Sequence, residues 1–335
     1  MVQRPRSRIL GTGHYTPEYV LTNDELSTML DTSDAWITER TGIKQRRIAA
    51  ENELTSDMAA AAGRAALEMA GIQASELSMI IVGTISPDTP MPACAVYVQQ
   101  KLGAGTAPSF DISAACAGFL YGLSIADQFV RTGQARYVMV IGVEMLSRVL
   151  NLTDRSTRVL FGDGAGAVIL GPSDGPDDEV NPRGVLATRI YTDGSHAEAL
   201  VIPAGGTREP ITADSLSKSR HKVHMAGQEI FKLAVRNLSS ATLDAMSAAS
   251  LEKSQIDWVV AHQANLRILS QVSARLEVPM DKFVLNIDRY ANTSSASIPI
   301  ALDEAVRDGR IKAGHNVVMC ALGAGISWGG AVIRF

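Results

Sequence analysis

The stretch "DISAACAGFL", residues 111–120, places one cysteine, Cys116, among neighbours too small to crowd it. Apolar residues follow it with helical spacing, at positions 119, 120, 123, 126, 129 and 130. Cys116 is therefore predicted to lie near a helix N-terminus, where the helix dipole lowers the pKa of a thiol and favours the nucleophilic thiolate. A buried structural cysteine is the alternative, and this segment alone leaves both interpretations open.

The chain repeats part of its own sequence. Residues 115–133 align with residues 291–309 at an offset of 176, and residues 74–84 resemble residues 253–263 at an offset of 179. Helical and strand-like segments alternate in both copies, which predicts an α/β fold built from two similar halves. The polar, Pro- and Gly-rich residues 171–184 are the predicted boundary between them.

The repeat predicts that three polar side chains lie close together in the fold. The predicted halves are residues 1–173, which carry Cys116, and residues 184–335, which carry His262 and Asn292. Cys116 and Asn292 occupy equivalent positions under the offset of 176, and His262 ends an apolar, strand-like run. If the halves are related symmetrically, all three side chains face one pocket beyond the strand ends, where α/β sheets place their sites.

Each of the two later residues also has a structural interpretation. His262 is equally compatible with a core histidine whose ring is satisfied by backbone groups. Asn292 is well suited to capping a helix, and its amide can also donate hydrogen bonds. The sequence position alone does not decide between these alternatives.

The composition excludes several classes of function. The 335 residues are 46% hydrophobic and 20% charged, as in an ordinary globular protein, and the net charge of −4 argues against general nucleic-acid binding. The three cysteines lack metal-type spacing, so we expect no zinc site, no disulfide framework and a reducing, cytoplasmic location. Neither a signal-peptide core nor a membrane-length apolar run is found. The run "GDGAGA" precedes a strand-like segment instead of following one, unlike a dinucleotide-binding fingerprint.

Three motifs in order, "DISAACAGF", "HQANLR" and "ANTSSAS", resemble the Cys–His–Asn triad segments of β-ketoacyl-[acyl-carrier-protein] synthase III enzymes of the thiolase superfamily. The resemblance covers nearly the whole chain, including "DTSDAWITERTGI", "FGDGAGAVIL" and "SWGGAVIRF". It implies a thiolase-like duplicated α/β fold with five layers, α/β/α/β/α, in a homodimer. It also implies condensation of a short acyl-CoA primer, such as acetyl-CoA, with malonyl-acyl carrier protein, which initiates type II fatty-acid biosynthesis.

The resemblance implies a role for each triad residue. Cys116 becomes acylated by the primer, and the backbone N–H groups of Cys116 and Ala324 form the oxyanion hole. His262 and Asn292 bind the malonyl thioester carbonyl and stabilise the enolate left by decarboxylation. No metal or redox cofactor is implied, since coenzyme A enters only as a thioester substrate. Elongating synthases resemble a Cys–His–His set instead, which Asn292 does not match.

Further positions match the binding regions of the family. Trp36 matches a residue that stacks on the adenine of coenzyme A, with Arg155 on the other face, while Thr32 and Arg40 hold the nucleotide end. The matches to the pantetheine tunnel are Gly227, Phe231, Ala264 and Asn265. The matches to a basic patch that receives the acidic carrier protein are Lys232, Arg267 and Arg275.

Four positions bear on the choice of primer and on the rate. Met91 matches the residue that caps the acyl pocket of the partner subunit, and a flexible methionine there predicts tolerance for butyryl or branched primers. Ala291 and Ala324 stand where relatives carry glycine. Leu322 stands in place of an aromatic residue, and this smaller side chain adds room if it lines the acyl pocket. The alternative functions are a related enzyme for branched or longer primers or secondary metabolism, and a non-catalytic CoA-binding protein, which the complete triad disfavours.

Overall fold

Two main β-sheets and their covering helices are formed by residues 6–173 and 183–335, the part of the chain that this computed structural model describes. The strands are β1 (Ser7–Tyr15), β2 (Tyr19–Thr22), β3 (Gln45–Ile48), β4 (Met79–Gly83), β5 (Ser109–Ile112), β6 (Val138–Glu144), β7 (Gly164–Pro172), β8 (Gly184–Thr192), β9 (Leu200–Val201), β10 (His224–Met225), β11 (Trp258–Ala261), β12 (Asn316–Gly323) and β13 (Ser327–Arg334). The α-helices are α1 (Asn23–Ser27), α2 (Asp34–Thr41), α3 (Thr55–Ala70), α4 (Cys94–Leu102), α5 (Gly118–Arg131), α6 (Arg155–Arg158), α7 (Ala213–Ser217), α8 (Gly227–Ala248), α9 (Leu266–Leu276), α10 (Ile287–Tyr290) and α11 (Ser297–Arg307). Most of the predicted boundary, 171–184, lies outside the described residues, so the division into 1–173 and 184–335 stays a proposal.

The two main sheets share one strand order. The five-stranded sheet runs β1-β7-β6-β4-β5, and the four-stranded sheet runs β8-β13-β12-β11. Equivalent pairs run in the same sense: β4 with β6 and β11 with β12 are parallel, while β6 with β7 and β12 with β13 are antiparallel. Phe283 makes an isolated parallel bridge to Val259 beside β11, where β5 lies beside β4 in the first sheet. This shared order matches the internal repeat of the sequence.

The helices divide into three layers around the two sheets. Helices α3 and α4 lie on the outer face of the five-stranded sheet, and α8 covers the outer face of the four-stranded sheet with α9 against it. Helices α5 and α11 lie between the sheets and contact both. The predicted five-layer α/β/α/β/α arrangement is confirmed.

Apolar side chains of α5 and α11 pack against both sheets. Leu123 of α5 and Leu302 of α11 belong to one cluster with Val140 of the first sheet and Ile333 of the second. Burying each such side chain contributes about 1.5–3 kcal/mol. Of the six apolar positions predicted for the first of these helices, five are buried and Phe129 is partly buried, so the helical periodicity is confirmed.

The polar residues of interest follow the carboxyl ends of parallel strands. Cys116 comes shortly after β5, His262 directly after β11, and Glu144 is the last residue of β6. These are the strand ends at which α/β sheets place their sites. Within 6–173 and 183–335, no helix has both the length and the apolar character needed to cross a membrane. The same residues contain no metal-type cluster of three or more His, Cys, Asp or Glu side chains.

Candidate active site

Cys116 lies in a single 3-10 turn, Ala115–Ala117, immediately before α5. The end of β12 is pressed against this turn, because a Cβ atom on Gly323 would lie 2.5 Å from the Cys116 backbone nitrogen. The thiol is buried, with 8% of the residue exposed. The predicted position at a helix start is therefore present, but the thiol there is buried.

The predicted lowering of the Cys116 pKa is wrong in direction for the resting protein. Burial raises the pKa of the Cys116 thiol to about 12, because desolvation penalises the thiolate. The Ser294 side chain, by hydrogen bonding, and the N-terminus of α5 act in the opposite direction without overcoming burial. The free thiolate is therefore scarce, and the proton must leave as the sulfur reacts.

His262 is a buried histidine whose ring is not satisfied by the backbone. Its backbone N–H donates to the Cys320 carbonyl oxygen at 2.8 Å, which fixes the chain at the end of β11. Its Nδ1 is buried without a hydrogen-bond partner among the described residues. Desolvation lowers the pKa of His262 to about 4, so the imidazole is neutral at pH 7. A neutral ring with one nitrogen toward a cavity is a hydrogen-bond donor for a ligand.

Asn292 joins the two halves of the chain. Its backbone N–H donates to the Leu160 carbonyl oxygen at 2.9 Å, and its carbonyl oxygen accepts from the Gly162 N–H at 3.0 Å. Its Oδ1 accepts from the Ser294 N–H at 2.8 Å, a local turn contact; the N-cap positions of the 3-10 turn and of α11 are Thr293 and Ala296, so Asn292 does not cap a helix. This bond orients the amide and leaves Nδ2 without a protein partner in the described part of the chain.

One cavity of about 180 Å³ brings the three predicted triad residues together. Its lining includes Cys116, His262, Asn292 and Leu322, together with the four positions predicted for the pantetheine tunnel, which are Gly227, Phe231, Ala264 and Asn265. Leu322 therefore lines the cavity that holds the triad residues.

A second cavity, of about 410 Å³, lies on another side of the same thiol. Cys116, Ser294 and Ala324 line it, and the rest of its wall is largely apolar, from residues such as Ile85 and Leu146. Among the three triad positions, only Cys116 lines both cavities. The sulfur thus lies between two largely apolar cavities, of which one also carries the side chains of His262 and Asn292.

The sequence matches a known family along its whole length. A family model of 3-oxoacyl-[acyl-carrier-protein] synthase III matches residues 110–194, and the model of its C-terminal part matches residues 246–335. A β-ketoacyl-[acyl-carrier-protein] synthase III of Clostridioides difficile is 47% identical over 330 residues, which are 98% of each chain. The chain belongs to this synthase III family. It is therefore a condensing acyltransferase.

Solved structures of synthases have the same fold. The 3-oxoacyl-[acyl-carrier-protein] synthase III of Aquifex aeolicus aligns with a TM-score of 0.89 and 43% identity, covering 98% of this chain and 100% of that one. The priming β-ketosynthase of the R1128 polyketide biosynthetic pathway aligns with a TM-score of 0.90 and 36% identity, covering 99% and 97%. The thiolase-like fold expected from the resemblance is thereby confirmed.

In this synthase III family member, the predicted nucleotide-end residues form a cluster beside the triad cavity. The guanidinium carbons of Arg40 and Arg155 lie 4.7 Å and 4.8 Å from the ring centroid of Trp36. Thr32 Oγ1 is buried without a partner among the described residues. The Asn265 amide, which lines the cavity, donates to the Arg40 carbonyl oxygen at 3.1 Å and so ties the cluster to the cavity wall.

The remaining predicted residues of the synthase lie on its surface. Lys232 of α8 and Arg267 and Arg275 of α9 are exposed, and none has an ion-pair partner in the described part of the chain. Met91 is 86% exposed and lines neither cavity of its own chain. A cap from a partner subunit, as the sequence predicts, requires such a position.

Sequence reasoning missed two polar residues of the synthase next to Cys116. Ser294 lines the 410 Å³ cavity, and its hydroxyl donates to Glu144 Oε1 at 3.2 Å. Glu144 is fully buried and also accepts from Ser86 Oγ at 2.6 Å and from the Ile85 N–H at 3.1 Å. The signal available in the sequence was a glutamate ending the otherwise apolar strand "VMVIGVE".

Proposed function

We propose that this enzyme condenses a short acyl-CoA primer with malonyl-acyl carrier protein through an acyl-Cys116 intermediate, and so initiates type II fatty-acid biosynthesis. The observation that carries the proposal is the junction at Cys116. The thiol borders an apolar cavity on one side and, on the other, the cavity that His262 and Asn292 also line. An acyl chain and a malonyl thioester can therefore approach one sulfur from different sides.

The first half-reaction transfers the primer to the enzyme. The Cys116 sulfur attacks the acyl-CoA carbonyl carbon, and the carbon–sulfur bond to coenzyme A breaks as the tetrahedral intermediate collapses. The backbone N–H groups of Cys116 and Ala324 are proposed to bind the oxyanion. Both residues line the apolar cavity, in which the acyl chain is then sheltered from water.

The second half-reaction uses the cavity that His262 and Asn292 line. The neutral His262 ring and the Asn292 Nδ2 group donate hydrogen bonds to the malonyl thioester carbonyl. Decarboxylation breaks the carbon–carbon bond to the carboxylate, and the enolate oxygen that forms is stabilised by the same two donors. The enolate carbon then attacks the acyl-Cys116 carbonyl, and the thiolate leaves. These steps need hydrogen-bond donors and a nucleophile, and we propose no metal or redox cofactor.

We propose that the substrates bind along the triad cavity and at the exposed residues beside it. Trp36, with Arg155 and Arg40 beside it, binds the adenine and phosphates of coenzyme A, and Thr32 Oγ1 offers an unused polar group. Gly227, Phe231, Ala264 and Asn265 line the path of the pantetheine. Lys232, Arg267 and Arg275 present unpaired positive charge to the acidic carrier protein, which favours association with it.

The functional unit is proposed to be a homodimer in the cytoplasm. Strand β5 is an edge of its sheet, which leaves its hydrogen-bonding groups available to a second copy. The exposed Met91 precedes α4, which contacts β5, so dimerisation along this edge would carry Met91 to the partner's acyl pocket. The three cysteines are all free, as suits a reducing compartment.

The second candidate function is the same condensation with a branched or longer acyl-CoA primer. The apolar cavity of about 410 Å³ is larger than an acetyl group requires. The similar polyketide synthase named above is itself a priming enzyme. Branched or longer acyl-CoA primers are therefore proposed as alternatives for the same site, with Met91 setting the depth.

The test is intact-mass spectrometry after incubation with acetyl-, butyryl-, isobutyryl- and octanoyl-CoA. We expect one acyl mass on the wild type, removed by neutral hydroxylamine as a thioester is, and none on Cys116→Ser. Cys94→Ser is the matched control, since Cys94 is also buried but lines neither cavity. A hydroxylamine-labile adduct that persists in Cys116→Ser contradicts the proposal, and the preferred primer decides between the two candidate functions.

A further inference from the structure

Glu144 is a buried carboxyl group for which the reaction described above has no use. It is 0% exposed and ends β6, and its oxygens accept hydrogen bonds from Thr84, Ile85, Ser86 and Ser294. Three of these donors, Ser86, Ile85 and Thr84, hold Oε2 at 2.6, 3.1 and 3.2 Å, while Oε1 accepts from Ser294 at 3.2 Å and from the Ile85 N–H at 3.3 Å. A carboxyl group held in this way, beside a nucleophile, is a candidate functional group.

The chain places Ser294 between Glu144 and the nucleophile. The 3-10 turn Ser294–Ala296 contacts both β6 and the turn that carries Cys116. The approach to β6 is close, because a Cβ atom on Gly142 would lie 2.1 Å from the Ser295 carbonyl oxygen. Ser294 also adopts a φ of 51°, a backbone conformation that non-glycine residues avoid unless the surroundings enforce it.

The hydrogen bonds of Ser294 have a definite direction. Its hydroxyl donates to Glu144 Oε1 at 3.2 Å, which leaves the oxygen free to accept. The Cys116 thiol is its neighbour on the other side: the turns that carry the two residues are in contact, both residues line the 410 Å³ cavity, and the Ser294 side chain lowers the pKa of the thiol. The hydroxyl is therefore placed between the thiol and the carboxylate, where it can pass a proton from one to the other. His262, by contrast, has no hydrogen bond to Cys116 in the described structure.

We propose that Glu144 accepts the Cys116 proton through Ser294 as the thiol attacks the acyl-CoA. This inference rests on the proposed function and adds the base that the first half-reaction needs. The S–H bond breaks as the new S–C bond forms. The sulfur proton passes to Ser294 Oγ, and the hydroxyl proton passes to Glu144 Oε1. The coenzyme A thiolate leaves and takes a proton from solvent.

The second half-reaction restores the base. When the enolate attacks the acyl-enzyme, the Cys116 thiolate is expelled and must regain a proton. The protonated Glu144 returns it through Ser294 by the reverse path. Over a full cycle the carboxyl group gains and loses one proton, and the single proton consumed from solvent is the one on coenzyme A.

The electrostatics of the site fit this role. Burial raises the pKa of Glu144 to about 7, which its hydrogen-bond donors partly oppose, so the group is poised to gain and lose a proton near neutrality. Within the described residues, the titratable groups whose pKa values respond to the Glu144 charge are the thiols of Cys116 and Cys94. The carboxylates Asp88 and Asp111 also raise the pKa of Cys94, so Cys94 stays a neutral thiol beside the path.

The test measures single-turnover acylation by acetyl-CoA between pH 5.5 and 9.5. The wild-type rate should rise to a plateau above pH of about 7, where Glu144 is ionised. In Glu144→Gln, which keeps the shape and an acceptor oxygen, the rate at pH 7 should fall on the order of 10²–10⁴-fold. Its profile should lose the plateau and rise about tenfold per pH unit, since hydroxide must then take the proton.

Three further variants keep the test decisive. Ser294→Ala breaks the path and should behave like Glu144→Gln. Ser295→Ala removes a neighbouring buried hydroxyl that has no hydrogen-bond partner in the described structure, and should keep the wild-type rate and profile. Ser86→Ala removes a donor to Glu144 and should move the midpoint of the profile to higher pH.

Three outcomes would overturn the proposed proton transfer from Cys116 through Ser294 to Glu144. They are wild-type acylation in Glu144→Gln, a rate reduced by the same factor at every pH, and an unmoved midpoint in Ser86→Ala. If Glu144→Gln does not fold, the Ser294→Ala and Ser86→Ala profiles decide. Failure of this proton transfer is distinct from failure of the proposed function, because acylation of Cys116 in the wild type is measured in the same series.

Discussion

At the scale of single residues, burial sets the chemistry of both Cys116 and His262. Desolvation raises the pKa of the thiol and lowers the pKa of the imidazole, so both groups are neutral at rest. A neutral thiol does not attack a thioester without losing its proton, and a neutral imidazole donates a hydrogen bond without carrying charge. The helix N-terminus that the sequence revealed is only one of the influences on Cys116, and the burial was not visible in local sequence.

The pKa of His262 makes a prediction about stability. Its pKa is about 4 in the folded protein and about 6.5 in an unfolded chain, so the unfolded state binds the proton first as pH falls. Stability that is present above pH 6.5 is therefore lost on acidification. We expect about 2 kcal/mol of the loss between pH 7.5 and pH 5 to come from this residue.

Urea unfolding of the wild type and His262→Gln at both pH values measures this contribution. All other titrating groups are common to the two proteins, so their effects cancel in the difference. The variant should lose about 2 kcal/mol less than the wild type on acidification. An equal pH dependence in the two proteins contradicts the assignment of a neutral, buried His262.

The residue before the nucleophile and the residue before the asparagine both have a positive φ, which is unusual for a residue other than glycine. Ala115 and Ala291 are equivalent in the repeat, and their φ values are 46° and 58°. Such conformations cost on the order of 1–3 kcal/mol for residues with a Cβ atom. The repeat in the sequence thus extends to strained geometry at the same two places, both of them next to the reacting groups.

At the scale of elements, α8 and α9 carry the charges that would receive the carrier protein. Arg267 lies in the first turn of α9, whose N-cap Asn265 also lines the triad cavity. Lys232 lies near the start of α8, whose first residue, Gly227, lines the same cavity. The two helix starts therefore place positive charge around the mouth through which a phosphopantetheine arm would enter.

Charge reversal at this patch should affect one substrate and not the other. In Lys232→Glu and Arg267→Glu, we expect KM for malonyl-acyl carrier protein to rise about two- to tenfold, with a weaker dependence on salt. Acylation by acetyl-CoA should be unchanged, because the carrier protein takes no part in it.

Lys253→Glu is the matched control for this experiment. It reverses an exposed lysine of the same half that is already paired with Glu277 at 2.9 Å. Steady-state kinetics over a series of salt concentrations gives the comparison. An equal rise of KM in the control, or equal losses for both substrates, refutes the patch.

The elements were largely predictable from sequence, and the reason is periodicity. The helix after Cys116 and the strands of both repeats follow from apolar spacing, and the repeat itself relates Cys116 to Asn292. Glu144 and Ser294 were not predictable in this way, because 150 positions separate them and each carries an ordinary residue type. Their contact exists only because β6 and the turn before α11 meet in the folded molecule.

At the scale of the whole molecule, the site depends on both halves. The first half supplies Cys116 and Glu144, and the second supplies His262, Asn292 and Ser294. Sheets with the same strand order face each other across α5 and α11, so equivalent strand ends converge. The duplication predicted this convergence of the triad. It did not predict that the sulfur would border two cavities, which depends on the side chains that line them.

The central claim is that these two cavities serve separate half-reactions that share Cys116. The most direct test measures acylation and decarboxylation on the same preparations of His262→Ala and Asn292→Ala. Both variants should form the thioester adduct with acetyl-CoA. Carbon dioxide release from malonyl-acyl carrier protein should fall about 10²–10³-fold, because each variant lacks one donor to the enolate. Carbon dioxide release near the wild-type rate in both variants, or loss of the acyl adduct with the fold intact, would contradict this division of the site.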